Sequence, residues 1–267
     1  MEILGNPNLQ NGKEASTIIN EVSGVNRSRI EGYQEIAGKK ADYILANPNG
    51  IYVNGTGAVN ISDTTFNVNK TNSGSFTPPA TSPTTNNNNG IFVRDGKTVA
   101  SIKDSNFYVG YTGTGILLGN SNGTTKAEVT TIKNTVFDVK NTNGSGTGIY
   151  LYNGTATLGE DAQIVGDSND RLITISQNSG KDQSLTLEGA TSHNRLTGLF
   201  ATGNNNVGIN IQEGYADGNH EGTVTITSGT IGWNLDFEGT GNVGIKNNKY
   251  AKDLKIKNIP TTLPTST

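Results

Sequence analysis

Apolar residues along this chain occur in short runs that alternate with polar residues, and glycine or asparagine separates most of the runs. Period-two alternation between turn residues predicts β-strands. Lys13-Glu14-Ala15 favours a helix locally, but the β-branched run Thr17-Ile18-Ile19 and the nearby glycines favour strands over residues 12–22. The hydrophobic pattern therefore predicts an all-β chain.

Two short motifs recur with insertions of variable length between them. Each copy of the first motif opens with Gly-Ile. The second motif is an aromatic residue with a valine two positions later, and it begins 15 to 21 residues after the isoleucine of three of these copies. The first set is Gly50-Ile51-Tyr52-Val53, Gly90-Ile91-Phe92-Val93, Gly115-Ile116-Leu117-Leu118 and Gly148-Ile149-Tyr150-Leu151; the second is Phe66-Asn67-Val68, Phe107-Tyr108-Val109 and Phe137-Asp138-Val139. Inexact repeats of this kind are typical of a β-solenoid, and rungs of about 20–25 residues predict about ten to twelve rungs.

Later in the chain, Asn206-Val207-Gly208-Ile209 returns as Asn242-Val243-Gly244-Ile245, and Thr223 to Thr227 alternates cleanly. Residues 70–89 are rich in Asn, Thr and Pro, and we interpret them as a surface loop of the solenoid. We predict one elongated domain, with a first segment at 1–60, continuing repeats at 61–259 and a disordered tail at 260–267. Lysines 246, 249, 252, 255 and 257 are interpreted as solvated, edge-protecting residues or, alternatively, as a basic patch.

Composition supports a thin core with many turns. Hydrophobic residues make up only 32% of the chain, while Asn, Thr and Gly number 36, 35 and 35. Stacked Asn and Thr side chains can form hydrogen-bonded ladders between rungs. The absence of cysteine excludes disulfides and thiolate metal sites, the net charge of −3 gives no support to nucleic-acid binding, and no apolar run is long enough for a transmembrane helix.

Two Asn-Pro-Asn turns mark the first segment. They are Asn6-Pro7-Asn8-Leu9 and Asn47-Pro48-Asn49-Gly50. Proline holds the preceding Asn in an extended conformation, and the following Asn or Gly tolerates positive φ, so each turn is sharply defined. Both turns are interpreted either as solenoid corners, whose amides satisfy the backbone, or as contacts with a partner; the two interpretations are compatible.

The motifs around these turns resemble, in order and spacing, the secretion domain of two-partner secretion exoproteins, the family of filamentous haemagglutinins, haemolysins and contact-dependent inhibition proteins. The resemblance implies a right-handed parallel β-helix, export by the Sec pathway, and recognition by an outer-membrane pore-forming transporter with periplasmic docking domains. The segments that carry it are Asn6-Pro7-Asn8-Leu9, Ile18 to Val22, Asn26 to Tyr33, Glu35 to Gly38, Ala46 to Ile51, and Asn54 to Gly57 with Asn60.

Two features depart from the family pattern. Only five residues precede Asn6, with no signal peptide among them, and the expected continuation of the family pattern is lost after Asn60. The repeats after residue 60 are similar to adhesin passenger stalks. From these departures we expect a truncated or rearranged exoprotein.

Other residues with possible chemistry are few. His193 and His220 lack a second ligand at metal spacing, so we expect no metal site and no cofactor. The segment Gly166 to Arg171 contains Asp167 and Asp170, which are interpreted as a surface turn or, alternatively, as the carboxylates of a β-helix enzyme. Glu160-Asp161 is interpreted as a surface turn in the same way. The glycine-rich segments 113–115 and 144–148 do not match a phosphate loop, because no Gly-Lys-Ser/Thr follows them.

The sequence thus predicts a secreted or surface-exposed Gram-negative adhesin-type exoprotein, not an enzyme, whose β-helical stalk carries contact loops for a host-cell or bacterial receptor or glycan. The alternative is a β-helix carbohydrate-active enzyme or a depolymerase like a phage tailspike. In that case Asp167 and Asp170 are the residues to substitute, and several carboxylates from successive rungs should gather in one groove.

Overall fold

The structure is a computed structural model that describes residues 17–22, 28–30, 42–46, 51–53, 59–68, 89–110, 113–120, 125–140, 146–176, 183–188, 197–212, 223–228, 234–247 and 253–257. All regular elements in these ranges are β-strands. The strands are β1 (Thr17–Glu21), β2 (Ser28–Ile30), β3 (Asp42–Ala46), β4 (Ile51–Val53), β5 (Val59–Ser62), β6 (Thr65–Val68), β7 (Asn89–Val93), β8 (Thr98–Lys103), β9 (Asn106–Val109), β10 (Thr114–Leu118), β11 (Ala127–Lys133), β12 (Thr135–Asp138), β13 (Thr147–Leu151), β14 (Gly154–Leu158), β15 (Ala162–Gly166), β16 (Arg171–Ile175), β17 (Gln183–Leu187), β18 (Gly198–Ala201), β19 (Val207–Ile211), β20 (Thr223–Ser228), β21 (Asn234–Phe237), β22 (Val243–Asn247) and β23 (Asp253–Lys257).

From β4 onward the chain winds through three parallel sheets in a fixed order. Each turn contributes one strand to an eight-stranded sheet, then one to a seven-stranded sheet, then one to a six-stranded sheet. For example, β10, β11 and β12 form one rung, which pairs with β7, β8 and β9 on one side and with β13, β14 and β15 on the other. This arrangement is a parallel β-helix, so the predicted fold class is confirmed.

The core is a set of columns in which equivalent residues of successive rungs stack. Ile91, Ile116, Ile149, Ile173 and Ile209 share one register position of the eight-stranded sheet and are completely buried. In the six-stranded sheet, Phe66, Phe107 and Phe137 stack face to face, with ring centroids 4.4 Å apart in both pairs. The repeated phenylalanines of the sequence therefore form one stack inside the β-helix.

The glycine of the Gly-Ile motif has a packing reason. A Cβ on Gly115 would lie 2.6 Å from the carbonyl oxygen of Gly148, and one on Gly90 would lie 2.8 Å from that of Gly115. Gly208 has the same relation to Gly244, at 2.6 Å. Successive rungs approach so closely at this position that a side chain would collide with the neighbouring backbone.

The coils are longer than expected. Equivalent corner residues of adjacent rungs are between 24 and 41 positions apart in sequence, so rungs of 20–25 residues are too short as a general estimate. The part of the chain from β4 to β21 contains six complete three-strand rungs, and the eight-stranded sheet records eight turns within the described residues. The predicted rung length was too short because loops between the strands lengthen most turns.

Several predicted segments can be compared with the strands. Residues 70–88 of the proposed loop lie outside the described residues, while Asn89 is the buried first residue of β7. The proposed tail at 260–267 also lies outside them. Lys246 lies on β22 and Lys255 and Lys257 on β23, which are the terminal strands of their sheets within the described ranges. Lys249 and Lys252 lie outside these ranges.

Candidate functional site

The two Asn-Pro-Asn turns, which carry the predicted site residues, lie outside the described residues. The strands on both sides of the second turn are described. β3 ends at Ala46 and pairs with β1 in a separate two-stranded parallel sheet, whereas β4 begins at Ile51 and pairs with β2 and β7 in the eight-stranded sheet. The segment 47–50 therefore connects the two-stranded sheet to the main β-helix.

β1 is exposed along most of its length. All of its residues except Ile18 are exposed, and Ile19 has 67% of its surface accessible to solvent, the one large exposed hydrophobic side chain among the described residues. Its pairing within those residues is with β3 alone. A strand with an accessible edge can pair with a strand of another protein.

The second candidate is the corner between β15 and β16, which contains Asp167 and Asp170. Asp170 is completely buried. Its Oδ1 accepts a hydrogen bond from the backbone N–H of Gly146 at 3.2 Å, and its Oδ2 accepts one from the backbone N–H of Asp167 at 2.9 Å. Asp167 Oδ1 in turn accepts a hydrogen bond from the backbone N–H of Ser168 at 2.7 Å. Both carboxyl groups thus hold the corner backbone in place.

Asp170 is one member of a ladder that runs through three rungs. Its backbone N–H donates to Oδ1 of Asn206 at 3.1 Å, and the backbone N–H of Asn206 donates to Oδ1 of Asn242 at 2.8 Å. Nδ2 of Asn206 also donates to the carbonyl oxygens of Asp167, at 2.7 Å, and Gly203, at 3.1 Å. Each side chain of this ladder, hereafter the corner ladder (Asp170, Asn206 and Asn242), satisfies a backbone N–H of the rung before it.

The electrostatic environment of Asp170 is unusual for a carboxyl group. Burial raises the pKa of Asp170 from 3.8 to about 8, because transfer from water disfavours the charged form. A hydrogen bond with the side chain of Asp167 and the nearby charge of Asp167 raise this pKa further, while the backbone N–H groups of Asp167 and Gly146 lower it. The corner therefore favours a protonated carboxyl group at neutral pH.

This geometry corrects the interpretation of Asp167 and Asp170 as a surface turn. The segment is a turn, but Asp170 has no exposed surface, and both of its oxygens are used by the backbone. A general acid or base must be within hydrogen-bonding reach of its substrate. Asp170 is therefore not placed to act on a glycan, and its role in this corner is structural.

A second column of polar corner residues, between the seven-stranded and six-stranded sheets, was not identified from the sequence. Asp63, Asp104 and Asn134 occupy equivalent positions with φ values of 51°, 50° and 44°. Such left-handed backbone is tolerated best by Gly, Asn and Asp. Nδ2 of Asn134 donates to Oδ1 of Asp104. The available signal was an Asp or Asn three residues before each phenylalanine of the repeated aromatic motif.

Asp161 takes the same left-handed conformation, with a φ of 59°, at the next such corner. The predicted turn at Glu160-Asp161 is therefore confirmed. Only 9% of Asp161 is exposed, however, so it is not a surface residue, and its backbone N–H donates to Oγ1 of Thr197 at 2.9 Å.

Within the described ranges, no three His, Cys, Asp or Glu side chains are close enough together to hold a metal ion. His193 and His220 lie outside those ranges. In the same part of the chain, no helix has the length and apolar character needed to cross a bilayer.

Comparison with known families decides the classification. The model of the TPS secretion domain, the two-partner secretion domain, matches residues 7–260 of this chain. The chain belongs to the two-partner secretion domain family. The resemblance drawn from residues 5–60 is thereby confirmed. The expectation that the family pattern is lost after Asn60 is wrong, because the match extends through the β-helical repeats to residue 260.

Three curated relatives of this secretion domain show how far individual similarity extends. The chain is 53% identical over 68 residues to the 16S rRNA endonuclease CdiA of Enterobacter cloacae, 58% identical over 57 residues to the hemolysin of Serratia marcescens, and 49% identical over 61 residues to the filamentous hemagglutinin of Bordetella pertussis. These matches cover 26%, 21% and 23% of this chain and only 2%, 4% and 2% of the respective relatives. No solved structure matched the chain.

Proposed function

We propose that this chain is the export segment of a secreted Gram-negative exoprotein, that an outer-membrane pore-forming transporter recognises it, and that its β-helix then acts as a surface-displayed stalk for adhesion. The observation that carries the export role is the family match over residues 7–260. The adhesive role is the further step of the proposal.

The names of the relatives support an export role rather than an activity of the matched segment itself. One relative is named an endonuclease, one a hemolysin and one a hemagglutinin, yet each matches this chain over a segment of 57 to 68 residues. A segment common to proteins with such different names is best explained by a step that they share. Transport out of the cell is that step.

The continuous core supports the stalk. One hydrophobic cluster extends from Phe66 in β6 to Ile245 in β22 without a break between rungs. Repeat proteins of this kind distribute stability along their length through contacts between neighbouring repeats. Such a rod can hold loops at defined positions away from the cell surface, where they would contact a host-cell or bacterial receptor or glycan.

We further propose that the chain is not an enzyme. The carboxylate pair that motivated the enzymatic alternative includes a buried residue whose oxygens bind backbone N–H groups. Glycan degradation by the purified chain, lost on Asp167→Asn substitution, would overturn this part of the proposal.

The export role is tested by secretion from a Gram-negative host. The chain is fused to a Sec signal peptide and produced with or without a two-partner transporter, and the extracellular fraction is measured by immunoblotting. We expect pore-dependent secretion, reduced at least tenfold when Asn47 and Asn49 are both replaced by alanine. Asn204→Ala, an exposed change at a distant corner, serves as the matched control and should be secreted normally.

Two results would contradict the proposal. Equal extracellular amounts with and without the transporter would remove the export role. Normal secretion of the Asn47 and Asn49 variant would make this turn a purely structural corner. The adhesive role is tested separately, by binding of the secreted protein to cultured cells and bacterial surfaces; no binding above that of an unrelated β-helix would refute it.

A further inference from the structure

The outer face of the eight-stranded sheet carries large apolar side chains on three adjacent rungs. Phe92 of β7, Leu117 of β10 and Tyr150 of β13 are register partners. Their neighbours along each strand are isoleucine, valine or leucine residues that are completely buried in the core, so these three residues lie on the opposite face. All three are half-buried, and each therefore keeps part of its surface in contact with solvent.

The side chain of Tyr150 lies along the sheet and crosses the next rung. Its hydroxyl donates a hydrogen bond to Oε1 of Gln212 at 2.7 Å, and Gln212 directly follows β19, which is two strands beyond β13. The tyrosine therefore spans the outside of β16, where its register partner Thr174 and the nearby Ser176 are buried. The bond to Gln212 holds the ring in place while part of the ring stays exposed.

A second tyrosine lies beside the first. The rings of Tyr150 and Tyr152 are nearly parallel, with centroids 5.6 Å apart and an angle of 22° between their planes, and Tyr152 is also half-buried. Gly119 takes the position of Tyr152 in the preceding rung, because each donates its backbone N–H to the last residue of the neighbouring strand. Since Gly119 has no side chain, it leaves the Tyr152 ring uncovered on that side.

The two outward columns of this sheet carry no charged side chain between the rung of Arg94 and that of Lys246. The first column contains Phe92, Leu117, Tyr150, Thr174 and Asn210, and the second contains Gly119, Tyr152, Ser176 and Gln212. On the six-stranded sheet, by contrast, Tyr108 has Asp138 as its register partner and Phe200 has Asp236. Rings, hydroxyls and amides without charge fit a neutral ligand, because covering an unpaired charge is costly.

The exposed Arg171 lies outside these two columns, at the start of β16, where its register partner is Val207. Its guanidinium group donates hydrogen bonds and can donate to hydroxyl oxygens as well as to anions. A ligand on this face that is rich in hydroxyl groups would therefore find a further donor at its margin.

The size of the surface favours a small ligand over a folded protein. From β7 to β19 it extends over four strand spacings, or about 19 Å, and its two columns are about 7 Å apart. Even with its margins, this area is far below the roughly 800 Å² per partner that a stable protein interface buries.

We propose that this surface, hereafter the aromatic face (Phe92, Leu117, Tyr150, Tyr152 and Gln212), binds a neutral, unbranched oligosaccharide that lies along the axis of the β-helix. Adjacent strands are about 4.8 Å apart, close to the length of one hexose unit in an extended glycan, so successive sugars would meet successive rungs. The apolar side of a sugar ring packs on the tyrosines, and its hydroxyls bond to amide and hydroxyl groups, as in ligand sites generally.

This inference rests on the adhesive part of the proposed function, and it assigns the contact to strands of the β-helix rather than to its loops. The export role is independent of it. Tyr152→Ala should therefore be secreted as efficiently as the wild-type chain.

The test measures binding of the purified full chain to cello-, chito- and malto-oligosaccharides by isothermal titration calorimetry, with heparin fragments as the charged comparison. The variant is Tyr152→Ala, and the matched control is Tyr108→Ala, a half-buried tyrosine on the outside of the six-stranded sheet. We expect the wild-type chain and Tyr108→Ala to bind at least one of the neutral oligosaccharides with the same Kd. Tyr152→Ala should bind it at least about fivefold more weakly, because one aromatic contact is lost.

Several results would overturn the proposal: no binding of any neutral oligosaccharide by the wild-type chain, binding of heparin fragments alone, or equal weakening by Tyr108→Ala and Tyr152→Ala. If Tyr152→Ala does not fold, the ring resonances of Tyr150 and Tyr152 in the wild-type chain decide. Shifts of these resonances on addition of the oligosaccharide support the proposal, and unchanged resonances overturn it.

Failure of this inference is distinguishable from failure of the adhesive role. Adhesion of the secreted protein to cells without binding of these oligosaccharides would overturn the inference and leave the adhesive role intact. Oligosaccharide binding at the aromatic face without adhesion to cells would support the inference and refute the adhesive role.

Discussion

Removal of the Asn206 side chain should destabilise the β-helix far more than its position in a turn suggests. In Asn206→Ala, the backbone N–H of Asp170 loses its acceptor, and the carbonyl oxygen of Asp167 loses its donor. Asn206 is completely buried, so water cannot replace these partners without opening the corner. The carbonyl of Gly203 keeps a hydrogen bond from Nδ2 of Asn242, at 3.0 Å.

The expected magnitude follows from the two groups left without partners. An unsatisfied buried polar group costs about 1–3 kcal/mol, so Asn206→Ala should cost about 2–6 kcal/mol of unfolding free energy. The matched control is Asn204→Ala, two residues away. Oδ1 of Asn204 accepts from the backbone N–H of Thr240 at 2.8 Å, but this residue is exposed, and its loss should cost about 1 kcal/mol or less.

The assay is urea denaturation followed by circular dichroism, together with hydrogen exchange of the Asp170 amide. Hydrogen exchange is included because repeat proteins can unfold in parts, so a global free energy alone can miss a local opening. The Asp170 amide should exchange much faster in Asn206→Ala than in Asn204→Ala. Equal stabilities and equal exchange rates in the two variants would refute the ladder as a stabilising element.

Three further predictions concern the packing of the core, the spacing of the rungs and the pH dependence of stability. Phe107→Ala breaks the aromatic column between Phe66 and Phe137 and should cost about 3–5 kcal/mol in urea unfolding, against about 0.5 kcal/mol or less for the outward Asn67→Ala. Gly115→Ala places a methyl group 2.6 Å from the carbonyl oxygen of Gly148 and should lower stability by about 1–3 kcal/mol; an unchanged melting temperature would contradict the close approach. Burial raises the pKa of Asp170 from 3.8 to about 8, so the wild-type chain should unfold at lower urea concentrations at pH 8 than at pH 5 relative to Asp170→Asn; a constant difference between the two chains over this range would contradict the prediction.

The sequence predicted the strands well where one motif repeats with its side chains facing the core. Ile116 and Ile149 follow glycines that the close rung spacing requires, and Phe107 and Phe137 stack directly, so a local pattern carries the packing information. The length of a rung was predicted poorly, because loops lengthen each turn without contributing to the core.

The corner residues were harder to predict than the strands. The repeat that relates Asn206 to Asn242 is visible in the sequence. Asp170 belongs to the same ladder but has a different side chain, and its partner on the preceding rung is the backbone N–H of Gly146. Burial of Asp170 depends on the neighbouring rungs, which a turn-like local sequence does not reveal. The predicted transporter turns at residues 6–9 and 47–50 lie outside the described residues, and the pairing of β1 to β4 describes only the strands on either side of the second turn.

The most direct test of the account is a disulfide cross-link within protein recovered from the culture medium. The chain contains no cysteine, so an introduced pair is unambiguous. Thr186 and Thr227 are register partners on adjacent parallel strands, about 4.8 Å apart, whereas Thr157 and Thr227 are separated by the strand that carries Thr186.

The account predicts that secreted Thr186→Cys/Thr227→Cys forms an intramolecular disulfide in high yield and that secreted Thr157→Cys/Thr227→Cys does not, because about twice the strand spacing exceeds disulfide reach. Equal cross-linking of both pairs, or none in the first, would contradict a secretion domain that reaches the medium folded as this parallel β-helix.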